Sequence, residues 1–209
     1  MPAGLVLVGF PLLYQLVSRT SLAEAFFAGD RSHFPVVVAA ILVLHWSSLA
    51  VAAMILLRVE VRGAELGLPQ WSTLARTCGL LLGVGITLVL FRELIPYGGG
   101  GEGAIQLLPQ TSGERLLFVA SALSAGICEE FVYRAFGIRM LQHAGLPTFV
   151  ATLLSSAAWV MIHGQVSPAL FGVYLLIGFG FSSLFLWRGK LILPLVVHAS
   201  WDLVVILVP

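Results

Sequence analysis

The apolar run Leu116–Leu141 contains the feature that most limits what this chain can fold into. Two carboxylates and a guanidinium, those of Glu129, Glu130 and Arg134, lie in the middle of it. The run is long enough to cross a membrane as a helix, and a single charge at the centre of such a helix costs roughly 2.5–3.5 kcal/mol. Three charges at that depth therefore indicate a protein interior or a polar cavity rather than a surface that faces lipid.

The two adjacent glutamates are predicted to have different partners. Glu130 and Arg134 are separated by four residues, so they lie on one helix face and can form an ion pair. Glu129 is turned roughly 100° away from Glu130 around a helix and projects elsewhere. Two interpretations follow: a structural ion pair that joins helices, or a functional site that Glu129 faces.

The composition places the whole chain in a membrane. Of the 209 residues, 59% are hydrophobic and 10% are charged, and the mean hydropathy is +1.01. A soluble domain has about 25% charged residues. The formal net charge of +1 gives no basic field, so we expect no nucleic-acid partner. Cys78 and Cys128 lie in apolar runs without metal-ligand spacing, and we interpret them as small buried side chains.

Hydropathy predicts an all-α polytopic transmembrane bundle of about seven spans, with a range of six to eight. The alternation that a transmembrane β-barrel requires is missing from these segments. The first run is short and contains Pro11, which leaves open whether it spans the bilayer. The apolar runs are Ala3–Val17, Phe34–Leu57, Leu74–Phe91, Leu116–Leu141, Pro147–Ile162, Pro168–Trp187 and Leu191–Val208.

The connections divide the chain into two parts. Before Arg115 they are long and hold most of the charge, and one contains four consecutive glycines at 98–101, which is typical of a flexible linker. After Arg115 they shrink to a few residues. We therefore predict an N-terminal part of helices and long loops, 1–114, and a compact helical core, 115–209, in which the chemistry should be sought.

Two further groups of polar residues lie in this core. His163 follows the fifth run, and the seventh run contains His198 and Asp202, which share a helix face at a spacing of four residues. Intramembrane ionisable groups usually face an interior cavity. A lone histidine in an apolar helix is more often an ordinary core residue, and we interpret His45 in the second run in that way.

An estimate of depth brings these groups to a similar level in the membrane. At about 1.5 Å per residue, Glu129 lies on the order of 20 Å from Arg115, and His198 lies about 12 Å from Lys190 on the opposite side. In a hydrocarbon core about 30 Å thick these positions nearly coincide. His163 fits less well, because it lies roughly 24 Å along its helix. Either the helix before His163 starts below the membrane surface, or the site is a funnel that extends towards the Gly164–Ser167 side.

The order of these motifs resembles a known family. Glu129-Glu130-x-x-x-Arg134, Trp159-x-x-x-His163 and His198-x-x-x-Asp202 are similar to the motifs of the CAAX-protease and bacteriocin-processing intramembrane proteases, which include the Ras-converting CAAX endopeptidases. The resemblance covers about residues 115–209. Two positions depart from the family pattern, because Trp159 stands where Phe is usual and Asp202 stands where Asn is common.

The resemblance implies a role for each motif residue. Glu129 would be the general base that activates water, and His163 and His198 would bind or polarise that water or the peptide carbonyl. Asp202 would position His198 or help to hold the tetrahedral intermediate. The ion pair of Glu130 with Arg134 would support the site. Peptide hydrolysis needs such a base together with donors aimed at the developing oxyanion.

A zinc site is the competing interpretation of the same residues. Two histidines and a carboxylate match the ligands of a catalytic zinc ion, and here they would be Glu129, His163 and His198. The sequence lacks a His-Glu-x-x-His motif, and we favour a glutamic-type mechanism without a metal or other cofactor.

The expected protein is therefore an intramembrane endopeptidase in a prokaryotic plasma membrane. Its expected partners are the lipid bilayer and a membrane-associated protein or peptide with a CAAX-type tail, a leader or a C-terminal sorting segment. Two other classes stay open: a proton-coupled transporter or channel that uses the Glu/His cluster, and a non-enzymatic immunity or scaffold protein. The enzyme differs from these two classes because it requires Glu129 as a general base.

Overall fold

The computed structural model describes residues 2–59, 108–163 and 167–204 of the chain. Within these ranges all regular secondary structure is helical, which confirms the predicted all-α class. The third predicted run, Leu74–Phe91, lies outside the described residues, as do Cys78 and the four-glycine segment. The other six predicted runs each coincide with a helix.

The described helices follow the predicted runs closely. They are α1 (Leu5–Val17), α2 (Ser21–Phe27), α3 (Phe34–Val59), α4 (Ser112–His143), α5 (Thr148–Met161), α6 (Pro168–Arg188) and α7 (Ile192–Val204). One helical turn, Pro2–Gly4, precedes α1, and a 3-10 turn, Arg31–His33, precedes α3.

Among the described residues, three helices are long and apolar enough to cross a membrane: α3 with its preceding turn, α4 and α6. Helices α1 and α2 form a fourth candidate, a broken span bent by 68°. Helices α5 and α7 have 14 and 13 residues, roughly 20 Å of helix against a core of about 30 Å. The described part of each of these two helices is therefore shorter than the bilayer core, and the fold is a polytopic helical bundle.

Local sequence signals explain where the helices of the C-terminal core begin and end. Helix α4 starts with a complete capping box, in which Thr111 accepts from the backbone N–H of Glu114 and the Glu114 carboxylate accepts from that of Thr111. Helix α6 starts with Ser167 as its N-cap and Pro168 in its first turn, and it ends at Gly189 in the left-handed conformation with φ 58°.

Two π-helical segments alter the helical register. One, Leu5–Gly9, ends two residues before Pro11. A proline lacks a backbone N–H and crowds the preceding turn, and the wider turn accommodates it. The other, Glu130–Ile138, begins immediately after Glu129. Segments of this kind often occur at functional sites. This one places both glutamates of the acidic pair at a change of helical pitch.

Helix α4 is the centre of the bundle. Its second half is buried among α5 and α6, with Val132, Phe136 and Ile138 fully inaccessible to solvent. Its first half packs against α3 on one side and α7 on another. The approach of α7 is close, because a Cβ on Gly126 would lie 2.8 Å from Cβ of Ala199. The packing brings the middle of α3 and the middle of α7 to the level of Glu129.

Candidate active site

Glu129 is a buried carboxylate held by two N–H donors from different helices. Its Oε1 accepts a hydrogen bond from Nε2 of His45 on α3 at 3.0 Å. Its Oε2 accepts from the indole N–H of Trp159 on α5. Each donor stabilises the ionised form of the carboxylate and fixes its orientation. The predicted position of Glu129 facing away from Arg134 agrees with these contacts.

His198 lies between the two glutamates. Its Nδ1 is hydrogen-bonded to Oε1 of Glu130 at 2.7 Å, which assigns the Nδ1 hydrogen because an ionised carboxylate only accepts. The opposite nitrogen, Nε2, then points to Glu129 and Asp202, with 3.8 Å to Oε2 of Glu129 and 3.6 Å to Oδ2 of Asp202. These two distances are longer than direct hydrogen bonds.

Glu130 also forms the predicted ion pair with Arg134. Its Oε2 lies 3.2 Å from Nε of Arg134, and both side chains are fully buried. The guanidinium donates a further hydrogen bond to the carbonyl of Gly178 on α6 and lies over the rings of Trp159 and Phe181, at 5.0 and 5.4 Å from their centroids. The prediction of an ion pair was right but incomplete, since Glu130 also binds His198.

The role expected of Asp202 changes as a result. Asp202 was expected to position His198 or to help to hold the tetrahedral intermediate, and the carboxylate that binds Nδ1 of His198 is that of Glu130. Asp202 is partly exposed, and its Oδ2 lies near the nitrogen that faces Glu129. The structure thus places Asp202 at the more exposed side of the cluster, beside Nε2 of His198.

His163 lies at the edge of the cluster. It follows α5 by two residues and is exposed. Its Nδ1 lies 3.0 Å from the carbonyl of Trp159, and its ring packs against the Trp159 indole at 4.5 Å and stacks on Tyr174 at 4.9 Å. His163 is therefore connected to Glu129 through Trp159.

All four residues predicted to be catalytic lie in one cluster, three of them close together and the fourth at its edge. Glu129, His198 and Asp202 are in direct proximity, and His163 joins them through the indole that binds Glu129. Trp159 also lies 5.8 Å from the His198 ring, centroid to centroid. The cluster is buried on the α4 side and more exposed at Asp202 and His163.

Sequence reasoning missed His45 as a site residue. It was interpreted as an ordinary core histidine; it is buried, but its ring contacts the central carboxylate. A depth estimate could have found it, because His45 lies roughly 17 Å along α3 from Phe34, at the level estimated for Glu129. The role of Trp159 was also underestimated, since a phenylalanine at this position has no N–H to donate.

The three residues expected as zinc ligands, Glu129, His163 and His198, each have another polar partner among the described residues. Among the described residues, no group of three or more His, Cys, Asp and Glu side chains has the geometry to hold a metal ion. Both oxygens of Glu129 accept hydrogen bonds from nitrogen donors, and Nδ1 of His163 faces a backbone carbonyl.

Comparison with known proteins agrees with the motifs. Residues 111–204 match the family model described as type II CAAX prenyl endopeptidase Rce1-like. Comparisons with curated proteins and with solved structures gave no significant match. The matched segment runs from the N-cap of α4 to the end of α7 and includes Glu129, His163, His198 and Asp202. The resemblance to the CAAX-type proteases is thereby confirmed, and at family level the match supports an intramembrane endopeptidase.

Proposed function

We propose that the protein hydrolyses a peptide bond of a membrane-associated substrate with water activated by Glu129. The observation that carries the proposal is the geometry of this carboxylate. Glu129 is buried and fixed by two N–H donors, and its Oε2 lies 3.8 Å from Nε2 of His198. A base held in one orientation beside a potential hydrogen-bond donor is the minimum that peptide hydrolysis requires.

The reaction uses the cluster in two steps. In the first step, a water molecule gives a proton to Glu129 and its oxygen bonds to the carbonyl carbon, so the carbonyl oxygen becomes an oxyanion. In its doubly protonated form, His198 donates from Nε2 to that oxyanion. In the second step, the C–N bond breaks and Glu129 returns its proton to the leaving amine. No metal takes part in either step.

The remaining groups support these steps. Glu130 keeps the His198 ring in place through Nδ1, and Arg134 balances the charge of Glu130 in a region closed to solvent. His163, at the exposed edge, would bind a carbonyl or a water molecule on the approach to the site. Asp202 would bind polar groups of the substrate or stabilise the charged form of His198 from the open side.

The substrate we propose is a membrane-associated protein or peptide cut in a CAAX-type tail, a leader or a C-terminal sorting segment. The test is incubation of the purified protein in liposomes with one peptide of each class, followed by mass spectrometry of the products. We expect new termini from at least one class with the wild type and none with Glu129→Gln. Glu24→Gln, which changes an exposed carboxylate of α2, is the matched control. No cleavage of any class by the wild type would contradict the proposal.

A further inference from the structure

We propose that His45, on helix α3, is a positioning residue of the active site that holds Glu129 in its reactive orientation. The inference rests on the proposed function of Glu129 as the general base. His45 lies outside the segment that matches the endopeptidase family, residues 111–204. It is therefore a contribution of the N-terminal part of the chain to a site whose other members all lie in the C-terminal core.

The hydrogen bonding of the His45 ring indicates that its role is to bind Glu129. Among the described residues, the ring makes its polar contact through Nε2, which lies 3.0 Å from Oε1 of Glu129. The other nitrogen, Nδ1, is buried without a hydrogen-bond partner among the described residues. An unpaired buried polar atom costs about 1–3 kcal/mol. An apolar side chain of similar size would avoid that cost but would leave Oε1 of Glu129 without its donor, so the contact with Glu129 accounts for a histidine here.

The tautomer of His45 follows from its environment. A neutral imidazole has one nitrogen that donates and one that accepts. Since Nε2 faces a carboxylate that only accepts, Nε2 carries the hydrogen and donates to Glu129. The ring can act as a donor in this way whether or not Nδ1 is also protonated.

Two neighbouring residues, Ser48 and Tyr14, lie close to His45. The hydroxyl of Ser48 donates to the His45 carbonyl at 2.7 Å, one turn along α3. The ring of Tyr14, on α1, lies 6.1 Å from the His45 ring. The imidazole is therefore enclosed between α1, α3 and α4 and presents one nitrogen to Glu129.

The two donors to Glu129 act as a clamp on its carboxylate. His45 binds Oε1 from the α3 side, and Trp159 binds Oε2 from the α5 side. The terminal torsion of a glutamate has a broad energy minimum, so the carboxylate turns easily unless both oxygens are held. With both held, Oε2 stays at 3.8 Å from Nε2 of His198. Without His45, this alignment depends on Trp159 alone.

Three substitutions of His45 test whether its side chain positions Glu129 or only supports the fold. In His45→Gln, the amide nitrogen lies near the position of Nε2 and can still donate to Glu129. In His45→Asn, the amide is as polar but too short to reach. His45→Phe keeps an aromatic ring and removes the donor. Trp46→Phe changes the next residue of α3, which is half exposed, and serves as the control for general damage to this helix.

The experiment measures kcat, KM and Tm for these variants with the peptide that the wild type cleaves. We expect kcat to fall by about 10- to 100-fold in His45→Asn and His45→Phe, with KM little changed, because a misplaced base slows chemistry rather than binding. His45→Gln should recover most of the rate. A kcat equal to that of the wild type in His45→Asn would overturn the inference. So would an equal loss in the Gln and Asn variants, because a positioning donor must be rescued by glutamine.

A double variant shows whether His45 acts through Glu129. In the Glu129→Gln background, His45→Asn should cause little further loss, because the group that it positions is already gone. A full additional loss there would contradict the inference. The proposed function fails separately, when Glu129→Gln cleaves as fast as the wild type. If Glu129→Gln is inactive and the His45 variants are fully active, only the inference about His45 fails.

Discussion

Nδ1 of His198 lies 2.7 Å from Oε1 of Glu130, so the second glutamate of the acidic pair is the carboxylate that orients this histidine. The same glutamate is also the ion-pair partner of Arg134. Glu130 therefore contacts both the buried guanidinium of Arg134 and the imidazole of His198, and this imidazole faces Glu129, the proposed base. In the proposed mechanism, adjacent positions of α4 therefore have different roles: Glu129 reacts, and Glu130 holds His198, which assists it.

Replacement of Glu130 should damage both stability and catalysis. Glu130→Gln leaves Arg134 buried without a charged partner, which costs on the order of 3–5 kcal/mol, and it weakens the hydrogen bond to Nδ1 of His198. We expect a lower Tm together with a lower kcat. The double variant Glu130→Gln/Arg134→Met should recover part of the Tm, because no unpaired charge remains, but not the kcat.

Measurement of Tm and kcat on the same detergent preparations checks this prediction. Recovery of kcat in the double variant would show that Glu130 acts only through Arg134, against the role assigned to its contact with His198.

Trp159→Phe tests the second donor to Glu129. The substitution keeps an aromatic ring, and phenylalanine is the usual residue at this position in the family that the motifs resemble. It removes the indole N–H that binds Oε2 of Glu129, and hydrogen bonds to charged groups are worth about 1.5–3 kcal/mol. We expect kcat to fall by about 10-fold while the protein still folds. Trp187→Phe, on the exposed surface of α6, is the control. Unchanged kcat in Trp159→Phe would exclude the clamp on Glu129.

The substitution Gly126→Ala should push α7 away from α4, because the two helices are in close contact at this glycine. The added Cβ would lie 2.8 Å from Cβ of Ala199 and 2.9 Å from the carbonyl oxygen of Leu195, and overpacking of this kind typically costs about 1–3 kcal/mol. His198 adjoins Ala199, so a shift of α7 also moves the His198 ring away from Glu130. We expect both Tm and kcat to fall.

Gly172→Ala is the matched control for that prediction. A Cβ at Gly172, inside α6, would meet nothing within 4 Å, and alanine favours a helix over glycine by about 0.5–1 kcal/mol. Its Tm should stay the same or rise. Equal effects of the two substitutions would show that close packing at Gly126 does not position the site.

Chelation should leave proteolysis unchanged. The proposed mechanism uses Glu129 and His198 without a metal, so strong zinc chelators should not lower kcat after prolonged incubation, and purified protein should contain no stoichiometric zinc. Elemental analysis and a chelator titration of the cleavage rate provide the measurement. Loss of activity that zinc alone restores would favour the zinc interpretation of Glu129, His163 and His198.

Much of the fold could be predicted because the signals for it are local. Apolar runs of membrane length, the capping box at Thr111 and the cap at Ser167 are each contained in a short stretch of sequence. The ion pair of Glu130 with Arg134 is also local, and it persists although the helix around it is π-helical. Helix α5 has 14 residues, fewer than the roughly 20 that a membrane-spanning helix needs, although its apolar run was counted among the predicted spans.

The contacts that define the site depend on how helices pack, and a single sequence does not reveal this. The motifs identified the candidate site residues on α4 and α7 and at the end of α5. They did not show that Nδ1 of His198 binds Glu130 rather than Asp202. His45 looked like any core histidine, because the carboxylate that it binds is 84 residues away in the chain. Trp159 looked like a conservative change until its N–H was seen to face Glu129.

The most direct test of the account is the cleavage rate of Glu129→Gln. Glutamine keeps the size of the side chain, and its carbonyl can still accept from Trp159, so Tm should stay close to that of the wild type. Loss of a general base typically lowers the rate by 10²–10⁴-fold, and we expect a fall of about that size in kcat. A Glu129→Gln variant that is folded and cleaves at the wild-type rate would contradict the central role assigned to this carboxylate.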